Sequence, residues 1–150
     1  MGVCKMSKLT YDEYYSLSGG KMQTVEIMEK TFETESGDIA IYLAMSQKAA
    51  DEGHPEIALY LYNVAMDEAR HAAEFATLLG KVKDTKSNLK MMLDDEIKTE
   101  KDKEEAAKIA LEEGFDDAYI SFKSSKHDET RHKAGIKTAL RKFQKKLSIL

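Results

Sequence analysis

Apolar side chains recur along this chain in steps of three and four residues, the spacing that places them on one face of an α-helix. Strict alternation of apolar and polar residues, which would indicate strands, is scarce. Glycines and a proline separate the helical segments, at positions where helices commonly end or begin. The pattern predicts four main helices, at about residues 22–52, 56–80, 88–113 and 116–147.

The second half of the chain repeats the first, in a register that aligns Glu35 with Glu96 and Gly53 with Gly114. Between residues 35–79 and 96–140, 11 of 45 positions are identical, whereas ordinary residue frequencies would give about three. Each copy holds a Glu and, on the following helix, a Glu-x-x-His motif at the same distance along the chain. The chain is therefore predicted to consist of two copies of one helical hairpin.

The predicted inner faces of these helices carry not only Leu, Ile and Phe but also Glu and His at mid-length. An unpaired buried carboxylate is costly, so such groups normally have a partner or bind a metal. The residues that recur in both copies are Glu35, Glu68, His71, Glu96, Glu129 and His132. They are interpreted as metal ligands rather than surface contacts because the same pattern occurs twice at equivalent positions.

The spacing brings the ligands of one copy to the same height. A helix rises about 27 Å from Glu35 to Gly53 and returns about 22 Å from Gly53 to Glu68, and the turn takes up the difference. Two such hairpins packed face to face would pool four carboxylates and two imidazoles in one buried layer. This is the ligand pattern of helix bundles that bind two metal ions.

Composition narrows the possible functions. The length of 150 residues suits one domain, here 22–150, with 1–21 as an N-terminal extension. A lone Cys4 excludes a disulfide framework and a rubredoxin-type iron site within this sequence. The sequence contains no run of 18 apolar residues, which a membrane span would require. The net charge of −4 argues against a general affinity for nucleic acid. A cytoplasmic location is expected.

At these residues the sequence resembles the rubrerythrin branch of the ferritin-like superfamily, over roughly residues 25–140. Glu35-Ser36 followed by Tyr42 is similar to that family's Glu-Ser…Tyr pattern. The resemblance implies an all-α, ferritin-like four-helix bundle in which the six ligands hold two iron ions. It also implies that Tyr42 donates a hydrogen bond to a ligand carboxylate. Manganese or zinc could occupy the same ligands.

Two departures from the family pattern, and one difference from bacterioferritins, affect the expected chemistry. Rubrerythrins commonly carry an extra Glu one turn after the third-helix ligand, but here that position is Thr99. Glu100 is the nearest substitute and is an additional candidate ligand. Ala69 stands where bacterioferritins have a haem-binding Met, so no haem is expected. Because this sequence holds no rubredoxin domain, the resemblance implies an external electron donor such as a rubredoxin-like protein.

The connection between the two hairpins is short. From Gly80 to Asn88 there are about eight residues, which reach up to about 28 Å when fully extended. That barely spans the bundle if a two-fold axis perpendicular to it relates the hairpins. Exchange of hairpins between two chains would relieve the strain, and some rubrerythrin relatives with short linkers are swapped in this way. We therefore expect a homodimer, either domain-swapped or unswapped.

Three functions remain open at this point. The leading hypothesis is a di-iron peroxidase that reduces hydrogen peroxide to water with electrons from an external donor. The alternative is a ferroxidase or an iron-handling protein of ferritin-like type that reacts with dioxygen, which the Thr99 substitution favours. The third is a bundle that keeps these residues only as buried polar structure. The ligands alone do not distinguish iron, manganese or a mixed pair.

Overall fold

The computed structural model describes residues 23–147. These residues form four α-helices: α1 (Gln23–Asp51), α2 (Pro55–Leu78), α3 (Thr85–Glu112) and α4 (Asp116–Leu147). No strand occurs within this described range. The prediction of an all-α chain is confirmed, and each predicted helix boundary lies within three residues of the observed one. The N-terminal extension predicted for 1–21 lies outside the described residues.

The four helices form two hairpins. Helix α1 packs against α2, and α3 packs against α4. The chain divides into two compact units between Val82 and Lys83. We call α1–α2 the first hairpin and α3–α4 the second hairpin. The repeat predicted from the sequence therefore corresponds to two structural units of the same kind.

The turn inside each hairpin is built by a glycine. Gly53 has φ 83° and Gly114 has φ 79°, a left-handed conformation that is strained for residues with a Cβ atom. The next amide in each turn donates back to the carbonyl five residues earlier, His54 to Ala49 at 2.9 Å and Phe115 to Ala110 at 2.8 Å. This pattern closes the last helical turn, so both hairpins reverse direction at equivalent repeat positions.

Helix α3 begins three residues earlier than predicted, because Asp84 caps its first turn. The Asp84 carboxylate accepts a hydrogen bond from the Ser87 amide at 3.1 Å and another from the Ser87 hydroxyl at 2.6 Å. These bonds lower the pKa of Asp84. A side-chain acceptor at this position satisfies an amide that the helix itself leaves unpaired. The segment between α2 and α3 is therefore only residues 79–84.

The interface between α1 and α2, which we call the seam of the first hairpin, is lined mainly by small side chains. Buried residues recur every seven positions along and just beyond α2, which lets the two helices approach closely. They are Ala58, Ala65, Ala72 and Leu79. The Ser46 hydroxyl on α1 donates to the Ala58 carbonyl at 2.7 Å and ties the helices near the turn.

The second hairpin has charged pairs at the corresponding positions. Lys126 and Lys133 stand where the repeat places Ala65 and Ala72. Lys126 lies 3.0 Å from Glu104, and Lys133 bonds to Glu100. The two hairpins thus share a turn and a ligand pattern but differ in the polarity of their seams. None of the helices in the described range is long and apolar enough to cross a lipid bilayer.

Candidate metal centre

In the first hairpin three predicted ligands converge across the seam. Glu35 on α1 faces Glu68 and His71 on α2, and we call these three residues the first cluster. Nδ1 of His71 lies 2.9 Å from Glu68 Oε2 and 3.8 Å from Glu35 Oε2. The three residues offer ligand atoms that all lie within 4.8 Å of one another. Both carboxylates are half-buried, with 21% of each side chain exposed.

The two carboxyl groups of the first cluster share a hydrogen bond. That bond, followed by burial and the charge of Glu68, raises the pKa of Glu35. The same bond, together with one from His71, lowers the pKa of Glu68. A divalent cation placed between the two groups would neutralise the charge of both.

The second hairpin builds an equivalent group, the second cluster, from Glu96 on α3 and Glu129 and His132 on α4. Nδ1 of His132 lies 3.5 Å from Glu96 Oε1 and 3.3 Å from Glu129 Oε2. Glu129 is buried. Hydrogen bonds from Glu96 and then from Lys103 lower the pKa of Glu129 to about 2. The bond to Glu129 raises the pKa of Glu96.

The donor chemistry of both clusters fits a transition metal. Each offers two carboxylates and one imidazole, a set that suits iron, manganese and zinc. In each cluster two like charges lie close together, and a cation between them would relieve their repulsion. Within each hairpin, the structure therefore brings three of the predicted ligands close to one another.

Tyr42 lies half-buried on α1, two turns beyond Glu35. The charge of Asp38, then burial and the charges of Glu68 and Glu35, raise the pKa of its phenol. Among the contacts of the described residues, no hydrogen bond joins Tyr42 to a ligand carboxylate. Its role as a hydrogen-bond donor to the metal ligands therefore stays a prediction.

Glu100 forms its side-chain bonds with residues outside both clusters. Its carboxylate accepts a hydrogen bond from Thr130 Oγ1 at 2.6 Å and is bonded by Lys133 Nζ. These two bonds lower the pKa of Glu100. Thr99, the residue at the family's extra Glu position, donates to the Asp95 carbonyl at 2.6 Å. Glu100 as an additional ligand stays a prediction, and using it would require Lys133 to release it.

Lys103 contacts Glu129, one of the predicted ligands, and this contact was not predicted from the sequence. It donates to Glu129 from one turn beyond Glu100 on α3. The signal was available in the repeat, because the register that aligns Glu35 with Glu96 also aligns Tyr42 with Lys103. The two positions next to the clusters therefore differ in charge.

The chain is similar to proteins of a known family. Residues 26–140 match the family model of rubrerythrin. The chain belongs to the rubrerythrin family, within the ferritin-like superfamily. Proteins of this family are generally oxidoreductases and bind a di-iron centre.

Two relatives align over most of the chain. A reverse rubrerythrin-1 of Clostridium acetobutylicum is 34% identical over 129 residues, which cover 85% of this chain and 71% of that protein. An uncharacterised protein of Methanocaldococcus jannaschii is 40% identical over 119 residues, covering 79% of this chain and 84% of that protein.

Proposed function

We propose that this protein is a di-iron peroxidase that reduces hydrogen peroxide to water. The observation that carries the proposal is the repeated Glu, Glu and His cluster on a chain of the rubrerythrin family. The two hairpins would face each other so that the first and second clusters hold one pair of ions. An external reductant such as a rubredoxin-like protein would supply the electrons, and no haem takes part.

The reaction needs two electrons and two protons for each hydrogen peroxide, and it yields two waters. When bound, the ion pair would supply the two electrons and a place for peroxide to bind. The chain supplies the rest. Four carboxylates balance the charge, Nδ1 of His71 and of His132 complete the ligand set, and the half-buried seams limit access of water. The helices fix these side chains, so the geometry does not depend on a loop.

Stopped-flow oxidation tests the proposal. The protein is loaded with iron(II) without oxygen and mixed with either hydrogen peroxide or dioxygen. We expect oxidation by peroxide to be at least about tenfold faster at equal concentration, with about two ions bound per set of six ligands. Faster oxidation by dioxygen would contradict the peroxidase assignment, and a stable protein that binds no metal would support the structural alternative.

A ferroxidase or dioxygen-reactive iron protein is the second candidate, and one observation favours it. The position of the family's extra Glu is Thr99, whose hydroxyl is bonded within its own helix. The nearest carboxylate, Glu100, is bonded by Lys133 and Thr130. The stopped-flow comparison separates the two functions, because a ferroxidase would oxidise iron(II) rapidly with dioxygen.

We also propose that the ligand set is shared between two chains. Leu78 lies about 15 Å beyond Glu68, and Thr85 about 16 Å before Glu96, at about 1.5 Å per helical residue. If a two-fold axis perpendicular to the helices relates the hairpins, these ends lie about 31 Å apart on opposite sides of the centre. The seven steps from Leu78 to Thr85 reach at most about 25 Å. Exchange of hairpins in a homodimer removes this conflict.

Complementation between two variants tests the exchange. One chain carries Glu35→Ala and the other Glu96→Ala, and mixed dimers are purified through two different affinity tags. In an exchanged dimer one of the two ligand sets is intact, so half of the wild-type iron oxidation returns. Without exchange every set carries a defect and no activity returns. Light scattering should give twice the 16.9 kDa of one chain, and a monomer mass would contradict the dimer.

A further inference from the structure

The two clusters differ at one repeat position. Tyr42 in the first hairpin and Lys103 in the second occupy equivalent places in the repeat. Lys103 Nζ bonds to Glu129 Oε1, and these two side chains are only 26% and 11% exposed. The other oxygen of Glu129 lies 3.3 Å from His132 Nδ1. Both carboxylate oxygens of Glu129 therefore have a partner, and for one of them the partner is the amino group of Lys103.

Charge makes this difference matter for metal binding. In the first cluster the nearby cation is Arg70, which lies 3.3 Å from Nε2 of His71 and pairs with Asp67 and Glu74 rather than with a cluster carboxylate. In the second cluster the ammonium of Lys103 is bonded directly to a cluster carboxylate, that of Glu129. The other half-buried lysines of the second hairpin do not alter the comparison, because Lys126 and Lys133 are each bonded to a glutamate outside the clusters. A divalent ion at the second cluster must share Glu129 with Lys103 in a partly desolvated seam, where repulsion between cations is weakly screened.

We propose that Lys103 makes the two metal positions unequal, so that the first cluster binds its ion first and more tightly. This inference rests on the proposed metal centre. Lys103 acts as a positioning residue through Glu129 and is not itself a ligand. Its consequence is a centre that holds a firmly bound ion and an exchangeable one, so that two different divalent metals can occupy the pair.

Cobalt(II) titration without oxygen tests this proposal. Cobalt prefers similar ligands, and its visible absorption reports each binding step without redox chemistry. We expect two steps in the wild-type protein, with dissociation constants that differ by at least about tenfold, the usual size of effects from residues that contact ligands. Lys103→Tyr should tighten the weaker step until the two merge. Tyr42→Lys should weaken the tighter step by a similar factor.

Lys126→Met is the matched control, because it removes a half-buried lysine of the same hairpin that is bonded only to Glu104. It should leave both steps unchanged. Helical circular dichroism and the melting temperature establish that each variant is folded. Two equal steps in the wild type, or a weaker step that Lys103→Tyr does not move, would overturn the proposal. Two unequal binding steps, in a protein whose iron(II) form reacts slowly with peroxide, would refute the peroxidase function and leave the inequality of the metal positions standing. If the protein bound no cobalt, both proposals would be overturned.

Discussion

Nδ1 of His71 lies 2.9 Å from Oε2 of Glu68, one helical turn before it on α2. On the other side of the ring, Nε2 lies 3.3 Å from a guanidinium nitrogen of Arg70. The ring is therefore oriented with Nδ1 toward the carboxylates of the first cluster and Nε2 toward Arg70. Nδ1 is the ring nitrogen placed to bind a metal together with Glu35 and Glu68.

Removal of this imidazole should weaken metal binding in the first cluster. We expect His71→Ala to lower the affinity for the tighter cobalt ion by at least about tenfold, because two carboxylates alone complete fewer coordination positions. His54→Ala is the control, since His54 lies in the turn before α2 and its side chain forms no cap bond. Equal losses in both variants, measured by titration and metal analysis, would mean that His71 is not a ligand.

The Glu100 and Lys133 pair should make the stability of the second hairpin depend on pH. Bonding to Lys133 lowers the pKa of Glu100 below its usual range, so the pair stabilises the folded state at pH values above that range. The contribution is lost as the pH falls through the folded-state pKa. Lys133→Met should therefore lower the melting temperature at pH 7, and the difference from wild type should shrink toward acid pH.

Lys137→Met is the comparison for this experiment, because Lys137 is exposed on the same helix. It should change the melting temperature little at any pH. A Lys133→Met difference that stays constant from pH 7 to pH 3 would show that the lysine stabilises by packing of its methylene groups rather than by its charge.

The cap of α3 should contribute measurably to stability. Asp84→Ala removes the acceptor for the Ser87 amide and should lower the melting temperature by about 2–4 °C. Asp84→Ser keeps an acceptor oxygen and should restore most of the loss. Hydrogen exchange at the Ser87 amide gives the local readout. An unprotected amide in wild-type protein, or equal losses in both variants, would contradict the capping role.

Close packing at Ala65 should not tolerate a larger side chain. Ala65 is fully buried in the seam of the first hairpin, so Ala65→Leu should destabilise by about 1–3 kcal/mol through overpacking. Ala73→Leu, at an exposed position of the same helix, should be nearly neutral. Denaturant unfolding measures both, and a neutral Ala65→Leu would show that the seam has room for repacking.

The elements of this fold could be predicted because their signals are local. Gly53 and Gly114 mark the turns by the backbone conformation that they alone adopt easily. Periodicity indicates the helices, and the repeat indicates the hairpins. The start of α3 was wrong by three residues because apolar periodicity first becomes clear at Leu89, whereas the helix is begun by the polar cap of Asp84.

The convergence of three residues in each hairpin could also be predicted, because their spacing from the turns follows from helix geometry alone. The polar seam of the second hairpin could not be predicted from the sequence. A lysine on a charged helix indicates a solvated side chain unless the partner across the helix pair is known. Only the packing of α3 on α4 reveals that Lys103 reaches Glu129 and that Lys133 reaches Glu100.

The number of residues between each glycine turn and the nearby carboxylates sets where those carboxylates lie on their helices. Glu68 lies as far along the chain beyond Gly53 as Glu129 lies beyond Gly114. Each residue of an α-helix advances the side chain by about 100°. A single deletion between turn and ligand would swing the carboxylate out of the seam, even though the helix itself would form. A change of length on either side of a turn, as far as Glu35 and Glu68 or Glu96 and Glu129, therefore displaces a carboxylate. A substitution at an exposed position leaves this count unchanged.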